Sequence, residues 1–178
     1  ELYKTAVVSL PLLGIGEISD GEANYARFGR ANAEGRAQYY AELKEMVLQL
    51  YNCPCIAMWV PFNEGWGQFD AAEAVRRIRA LDQTRTIDHA SGWHDQGAGD
   101  VQSLHVYFYQ YRFRPDKRGR AVVLSEFGGY NLPLAGHTWN DANFGYRGYK
   151  TPEALEAAYR KLYEAQIIPA KEKGLAAC

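Results

Sequence analysis

The chain has 178 residues, of which 47% are hydrophobic and 23% are charged, and this composition is typical of one globular domain with a sizeable core. A formal net charge of −1 leaves no basic surface to neutralise phosphates, so nucleic acid is not an expected partner. The apolar stretch at residues 6–15 is broken by Ser9, Pro11 and Gly14 and is too short to span a bilayer, so no membrane association is expected.

The three cysteines, Cys53, Cys55 and Cys178, do not have the spacing of a zinc site, and we expect them to be reduced thiols. The chain starts at Glu1 without the basic segment that opens a signal peptide. The compartment is therefore weakly constrained, with the cytoplasm favoured over secretion.

The first predicted elements are loops and helices. Residues 1–34 show no clear period, which predicts a loop-rich segment around one short strand. Apolar residues then recur every three or four positions from Arg36 to Tyr51, as in an amphipathic helix. A second helix is predicted after Asp70, which begins a capping-box pattern, and a third opens at Thr151 and Pro152.

Four short apolar runs predict strands between and after these helices. They are Cys55 to Val60, Thr86 to His89, Ser103 to Phe108, and Ala121 to Ser125. Strands that alternate with helices favour parallel pairing through right-handed crossovers. The connections between the second and fourth of these strands are rich in loop residues and have little helical signal.

Two glutamates directly follow apolar strands. Glu64 lies in the polar segment Pro61 to Gln68, and Glu126 lies in the segment Ser125 to Gly129. The loops at the carboxyl ends of parallel strands hold functional groups on one face of the sheet. Either acid alone could instead cap a helix or pair with an arginine. Together they are the two carboxylates that glycosidic cleavage requires.

The motifs around these acids resemble the catalytic domain of glycoside hydrolase family 2, a clan A family that includes β-galactosidases, β-glucuronidases and β-mannosidases. The resemblance is carried by NCPCIAMW at 52–59 and VPFNEGWGQ at 60–68, and by DHASGWH at 88–94 and LHVYF at 104–108. It extends from about Tyr25 to Ala177. It implies an α/β fold of the (β/α)8 TIM-barrel type, incomplete here, with about strands four to seven of the barrel in residues 35–178.

The resemblance also implies roles for individual residues. Glu64 corresponds to the general acid/base and Glu126 to the nucleophile of a retaining double-displacement mechanism, which needs no metal or organic cofactor. Contacts with a carbohydrate substrate are expected from Asn63, Tyr107, Trp66, Trp93 and His94. Tyr107 also corresponds to a tyrosine that commonly hydrogen-bonds the nucleophile in such enzymes, and the alternative is a core tyrosine. Trp66 could simply pack under its loop.

The sequence departs from the family in ways that affect the expected activity. Cys53 stands where relatives usually carry histidine, and the chain ends at Cys178, where the eighth barrel strand should begin. Open barrel edges are expected to favour self-association and to leave the chain nearly inactive alone. The alternative function is a non-catalytic carbohydrate-binding or degenerate barrel fragment. A metal site is not expected, because His89, His94, Asp95 and His105 follow no ligand pattern.

Overall fold

The computed structural model describes residues 18–138 and 145–178. The helices are α1 (Ala33–Leu50), α2 (Ala71–Leu81), α3 (Pro152–Leu162) and α4 (Ile168–Glu172), with a 3₁₀ turn at Glu22–Asn24. The strands are β1 (Met58–Trp59), β2 (Thr86–Ile87), β3 (Val101–Val106), β4 (Ala121–Phe127), β5 (Tyr130–Asn131) and β6 (Arg147–Gly148). Not one of these helices has the length and apolar character needed to cross a bilayer. Of the predicted loop-rich segment, residues 1–17 lie outside the described ranges.

Two of the three predicted helices begin at side-chain caps that are local in sequence. The helix predicted from Arg36 begins three residues earlier, at Ala33, because the side chain of Asn32 accepts the N–H of Gly35 at 3.0 Å. The helix predicted at Thr151 is confirmed, and the Thr151 hydroxyl accepts the N–H of Ala154 at 3.2 Å. Local capping therefore explains where α1 and α3 start.

Helix α2 forms where it was predicted, but its cap comes from a distant residue. The side chain of Asp70 makes no capping hydrogen bond. Instead, the carboxylate of Asp20 accepts the N–H groups of Ala71 and Ala72 at 2.7 and 2.9 Å. A carboxylate is well suited to this position because the helix dipole is positive at its N-terminus. The capping-box prediction was therefore wrong about the residue that caps α2.

The predicted TIM barrel, complete or partial, is wrong. Within the described residues the strands form three separate parallel sheets of two strands each, β1 with β2, β3 with β4, and β5 with β6. Four of these strands, β1 to β4, lie inside the runs predicted from sequence or overlap them, but β1 and β2 contain only two residues each. The chain is therefore a small mixed α/β domain, in which parallel pairing is confirmed and barrel closure is not.

Asp100, the residue before β3, occupies the edge of β2 with both its side chain and its backbone N–H. The N–H of Ile87 donates to Oδ2 of Asp100 at 2.7 Å, and the carbonyl of Ile87 accepts the N–H of Asp100 at 2.8 Å. In a barrel, β2 would use these groups to pair with β3. Strand β1 is also confined between Pro54 and Pro61, which have no N–H for a ladder.

Two large buried apolar clusters hold the described part of the domain together. The first packs α1 and α2 against β1 and β2, and the second packs β3 and β4 against the C-terminal helical run. The first consists of Leu43, Val47, Trp59, Phe62, Phe69, Ala71, Ala74, Ile78 and Ile87. The second consists of Val106, Tyr111, Val122, Leu124, Ile167, Ala170 and Leu175. Glu64 follows β1, which packs in the first cluster, and Glu126 lies in β4, which packs in the second. The candidate site therefore lies where the two clusters meet.

The C-terminal helical run contains a π turn at Tyr163–Ile167, between α3 and α4. Pro169 has no N–H to donate to the preceding turn, and the N–H of Ile168 donates to the carbonyl of Tyr163, five residues earlier. The wider turn allows the helix to continue past the proline. As a result, Ile167 and Ala170 both reach the second apolar cluster.

Candidate active site

A β-bulge in β4 aligns the end of this strand with the end of β3. Leu104 pairs with Leu124, but the next residue, His105, pairs with Glu126. Ser125 is the extra residue of the bulge. Because paired residues of a parallel ladder project from the same face, the bulge brings the side chains of His105 and Glu126 to one side of the sheet.

Glu64 reaches the same place from the end of β1. Asn63 forms an isolated bridge with Ser91, and the N–H of Glu64 donates to the carbonyl of Ser91 at 2.9 Å. Glu64 has a left-handed backbone with φ of 52°, and Gly65 follows with φ of 79°. A left-handed glutamate is uncommon and costs about 1–3 kcal/mol, and such residues cluster at functional sites.

The two glutamates face each other across a short gap. An oxygen of Glu64 and an oxygen of Glu126 lie no more than 4.8 Å apart, and a ring nitrogen of His105 lies within the same distance of both. Nδ1 of His105 is 2.7 Å from Oε1 of Glu64, and Nε2 is 3.5 Å from Oε1 of Glu126. The structure thus brings together the two acids that the sequence singled out and adds a histidine between them.

The two carboxyl groups have different surroundings. The side chain of Glu64 is 16% exposed and that of Glu126 is 42% exposed. The hydroxyl of Tyr107 donates a hydrogen bond to Oε2 of Glu126. Burial, and then this hydrogen bond and the negative charge of Glu126, raise the pKa of Tyr107 well above its usual value. The tyrosine therefore stays protonated at neutral pH and remains a donor to Glu126.

Aromatic rings border the pair on two sides. Trp93 is half-buried, and its ring meets the ring of His105 edge to face at 6.3 Å. On the other side, Tyr146 lies 4.5 Å from Tyr107 and 4.9 Å from Phe108, measured between ring centroids. Phe108 and Tyr146 are 70% and 54% exposed, so they present apolar faces to solvent next to Glu126.

The other predicted substrate contacts have mixed outcomes. Asn63 is exposed beside Glu64, where a ligand could reach it. Trp66 is half-buried, and among the described residues its ring makes no aromatic contact with the site. Its backbone N–H donates to the carbonyl of Asn63. His94 is buried, and its Nδ1 accepts the N–H of Ile18 at 3.1 Å. The ring of His94 packs against Gly65, where a Cβ would come within 2.5 Å of Cδ2 of the ring.

The four residues considered for a metal site do not come together. His89 and Asp95 are joined at 3.0 Å, and Arg120 binds the same carboxylate at 2.6 Å. Although burial acts in the opposite direction, the hydrogen bonds from His89 and Arg120 hold the pKa of Asp95 well below its usual range. These contacts belong to an ion pair that anchors the loop after β2, and His105 is engaged elsewhere.

Within the described residues, one cluster has ligand atoms close enough for a metal ion, and it consists of Glu64, His105 and Glu126. Nδ1 of His105 faces Glu64, whereas Nε2 faces Ser91 and Glu126. Both ring nitrogens are therefore already engaged, and a cation between the carboxylates would have to displace the hydrogen bond to Glu64. The arrangement favours hydrogen bonding over metal coordination.

The sequence analysis missed the residues that support the pair from below. Ser91, Ser103 and Ser125 form a cluster of hydroxyl groups under His105, with Oγ of Ser103 and Ser125 2.7 Å apart. A signal was present in β3, where Ser103 and His105 alternate with Leu104 on a strand that is otherwise apolar on its buried face. Polar residues two apart on a buried strand indicate a polar network on one face.

Asp88 is a further buried acid near this cluster, with only 2% of its surface exposed. Burial raises the pKa of the Asp88 carboxyl, and a hydrogen bond from Ser103 opposes that shift. The polar network therefore continues from the site into the interior of the domain.

No protein-family model matches the chain, and a search of curated proteins finds no matching sequence.

Proposed function

We propose that the chain hydrolyses O-glycosidic bonds by a retaining double-displacement mechanism, with Glu64 as general acid/base and Glu126 as nucleophile. The proposed activity is that of a glycoside hydrolase similar to the β-galactosidases and β-glucuronidases of family 2. It concerns the catalytic residues and not a barrel fold.

The separation of the two carboxylates carries this proposal. Their oxygens lie no more than 4.8 Å apart. The two carboxyl groups of retaining glycosidases are about 5–5.5 Å apart, whereas those of inverting enzymes leave room for a water at about 6.5–9.5 Å. The short gap supports direct attack by one carboxylate on the anomeric carbon.

The surroundings of each acid support its assigned role. Glu126 accepts a hydrogen bond from Tyr107, and it is the more exposed carboxylate, so a sugar can reach it for direct attack. Glu64 is the less exposed of the two, and its carboxyl group is held by His105. In this mechanism Glu126 attacks the anomeric carbon while Glu64 protonates the leaving oxygen. Glu64 then removes a proton from the water that releases the sugar from Glu126.

The aromatic surface beside Glu126 supports a carbohydrate as the ligand. Phe108 and Tyr146 are exposed, and their rings contact Tyr107, which binds the nucleophile. Phe108 and Tyr109 also line a cavity of about 510 Å³ that continues to Tyr130 and Tyr149. Flat apolar faces beside hydroxyl groups and amides suit the C–H faces and hydroxyls of a sugar. Extended glycans could therefore bind along this side.

Self-association stays a prediction as well. One edge of β4 is covered by the end of the chain, because the N–H of Leu124 donates to the carbonyl of Ala177 at 3.0 Å. The sheets formed by β1 with β2 and by β5 with β6 have strands of only two residues, so they offer short edges for pairing with another copy. Size-exclusion chromatography at several concentrations measures the oligomeric state directly.

The test of the proposed function is a panel of nitrophenyl glycosides, read for release of nitrophenol and for the anomeric configuration of the first product. Retention of configuration is expected with at least one sugar. Glu126→Gln should abolish release, whereas Glu45→Gln, at an exposed position on α1, should leave it unchanged. Inversion of configuration, or full activity of Glu126→Gln, would rule out the nucleophile role.

The alternative, a carbohydrate-binding protein without turnover, predicts a different result. Sugars would bind in a calorimetric titration, and no nitrophenol would be released from any member of the panel. Glu126→Gln would then retain binding. The strained backbone of Glu64 and the closely opposed carboxylates favour catalysis over binding alone.

A further inference from the structure

His105 is the buried partner of Glu64. Its side chain is completely enclosed, with 0% exposure, and it lies between Glu64 and the serine cluster. Nδ1 lies 2.7 Å from Oε1 of Glu64, and Nε2 lies 2.9 Å from Oγ of Ser91. Nδ1 therefore faces Glu64, and Nε2 lies closer to Ser91 than to Oε1 of Glu126, which is 3.5 Å away.

These two contacts favour one tautomer of the ring. Oε1 of Glu64 is an acceptor when the carboxyl is ionised and also when its proton lies on Oε2, and in both states Nδ1 of His105 carries the proton of this hydrogen bond. In the neutral ring, Nε2 then has a free lone pair, which accepts the hydroxyl proton of Ser91. The hydroxyl groups of Ser103 and Ser125 lie 3.3 and 3.4 Å from Oγ of Ser91, farther than the ring is.

Ser91 also fixes the backbone of Glu64. Its carbonyl accepts the N–H of Glu64 at 2.9 Å, while its hydroxyl lies against His105. One residue thus holds both the chain and, through the ring, the carboxyl group of the acid. Gly92 leaves room for the ring, because a Cβ at this position would lie 2.4 Å from Cγ of His105.

We propose that His105 is a positioning residue that donates its Nδ1–H to Oε1 of Glu64 and so makes Oε2 the oxygen that carries the catalytic proton. This inference rests on the proposed function. In the first step the proton moves from Oε2 to the leaving glycosidic oxygen as the bond to the anomeric carbon breaks. In the second step Oε2 takes a proton from the attacking water. His105 keeps its own proton throughout, so it orients the acid without exchanging protons with it.

The first arm of the test measures the tautomer without any need for turnover. A long-range ¹H–¹⁵N spectrum of the full chain shows the ring nitrogens of its four histidines. The His105 signals are identified as those missing from His105→Gln. We expect a protonated Nδ1 and an unprotonated Nε2 at neutral pH. A protonated Nε2 with a bare Nδ1, or a doubly protonated ring, would overturn the inference.

The second arm compares His105→Asn with His105→Gln. The asparagine amide can place an N–H near the position of Nδ1, whereas the glutamine amide reaches the position of Nε2. We expect kcat on substrates with poor leaving groups to fall about 10- to 100-fold in His105→Gln, with less loss in His105→Asn and little change in KM. On nitrophenyl substrates, which need little protonation, the loss should be much smaller.

The two proposals fail in different ways. Wild-type activity with retention, together with unchanged kcat in both His105 variants, would overturn the positioning role and leave the proposed function intact. A chain that is inactive on every glycoside would overturn the proposed function, and the spectrum would still decide the tautomer.

If His105→Gln fails to fold, Ser91→Ala replaces it: the loss of the hydroxyl should lower kcat on poor leaving groups about threefold or more.

Discussion

Ser91 holds Glu64 from two directions, because its carbonyl binds the backbone N–H of Glu64 at 2.9 Å and its hydroxyl supports the ring that binds the carboxyl group. Ser91 lies after β2 and Glu64 lies after β1, so the contact also joins the ends of two neighbouring strands. This arrangement holds the backbone of Glu64 in its strained left-handed conformation, which a loop without these contacts would not keep.

Glu64→Gln is expected to separate proton transfer from nucleophilic attack. The amide cannot protonate a leaving oxygen, so turnover of substrates with alkyl or sugar leaving groups should fall by about 10²- to 10⁴-fold. Nitrophenyl glycosides should be partly spared in the first step because their leaving group needs no proton. Steady-state and burst kinetics on both substrate types measure the difference. Equal losses on both would count against Glu64 as the acid.

Tyr107→Phe should weaken the nucleophile without removing it. The hydroxyl donates to Oε2 of Glu126, and hydrogen bonds to charged groups contribute about 1.5–3 kcal/mol, so kcat/KM should fall about 10- to 100-fold. Tyr159→Phe is the matched control, because Tyr159 is 52% exposed on α3. Wild-type kcat/KM in Tyr107→Phe would show that Glu126 does not depend on this donor.

Gly92→Ala should disable the site through His105. A Cβ at Gly92 would lie 2.4 Å from Cγ of the ring, whereas a Cβ at Gly119 would meet no atom within 4 Å. Both glycines have positive φ, 86° and 78°, so the two alanine variants carry a similar backbone penalty of about 1 kcal/mol. Thermal unfolding should therefore show some loss of stability in both variants.

The activities of these two variants should differ much more than their stabilities. Gly92→Ala is expected to lose activity about tenfold or more because His105 must move away from Glu64. Gly119→Ala should retain wild-type activity on the same substrates. Equal activities in the two folded variants would contradict the dependence of Glu64 on His105.

Acid should unfold the protein partly through Asp116. Hydrogen bonds from Arg120, opposed by burial, lower the pKa of Asp116 from 3.8 to about 2. A carboxyl whose pKa is lower in the folded state stabilises the fold above its unfolded pKa, and this contribution is lost as the pH falls from about 4 to about 2. Denaturant unfolding across this range should show the decline.

The matched variants for this prediction are Asp116→Asn and Glu45→Gln. Asp116→Asn should be less stable at neutral pH. Below about pH 4 its free energy of unfolding should depend less on pH, by a slope that corresponds to the uptake of up to about one proton. Glu45→Gln, at an exposed site on α1, should follow the wild-type curve. An unchanged pH dependence in Asp116→Asn would show that other carboxylates dominate acid unfolding.

Local features of the sequence were sufficient to place several elements and the two acids. The Thr151 cap and the apolar period after Arg36 predicted helices that the structure contains, because capping and amphipathic spacing involve residues within one or two turns. Glu64 and Glu126 could be singled out because each follows an apolar strand directly.

Tertiary contacts decided the rest. The barrel prediction was wrong at the edge of β2, where the N–H and the carbonyl of Ile87 are both hydrogen-bonded to Asp100. The cap of α2 comes from Asp20, which is distant in the sequence. The place of His105 depends on a bulge at Ser125, which changes the register between two strands and leaves no mark in either strand alone. Hydrogen bonds between residues distant in sequence determine these features, and no local pattern of side chains specifies which distant partner a backbone group will find.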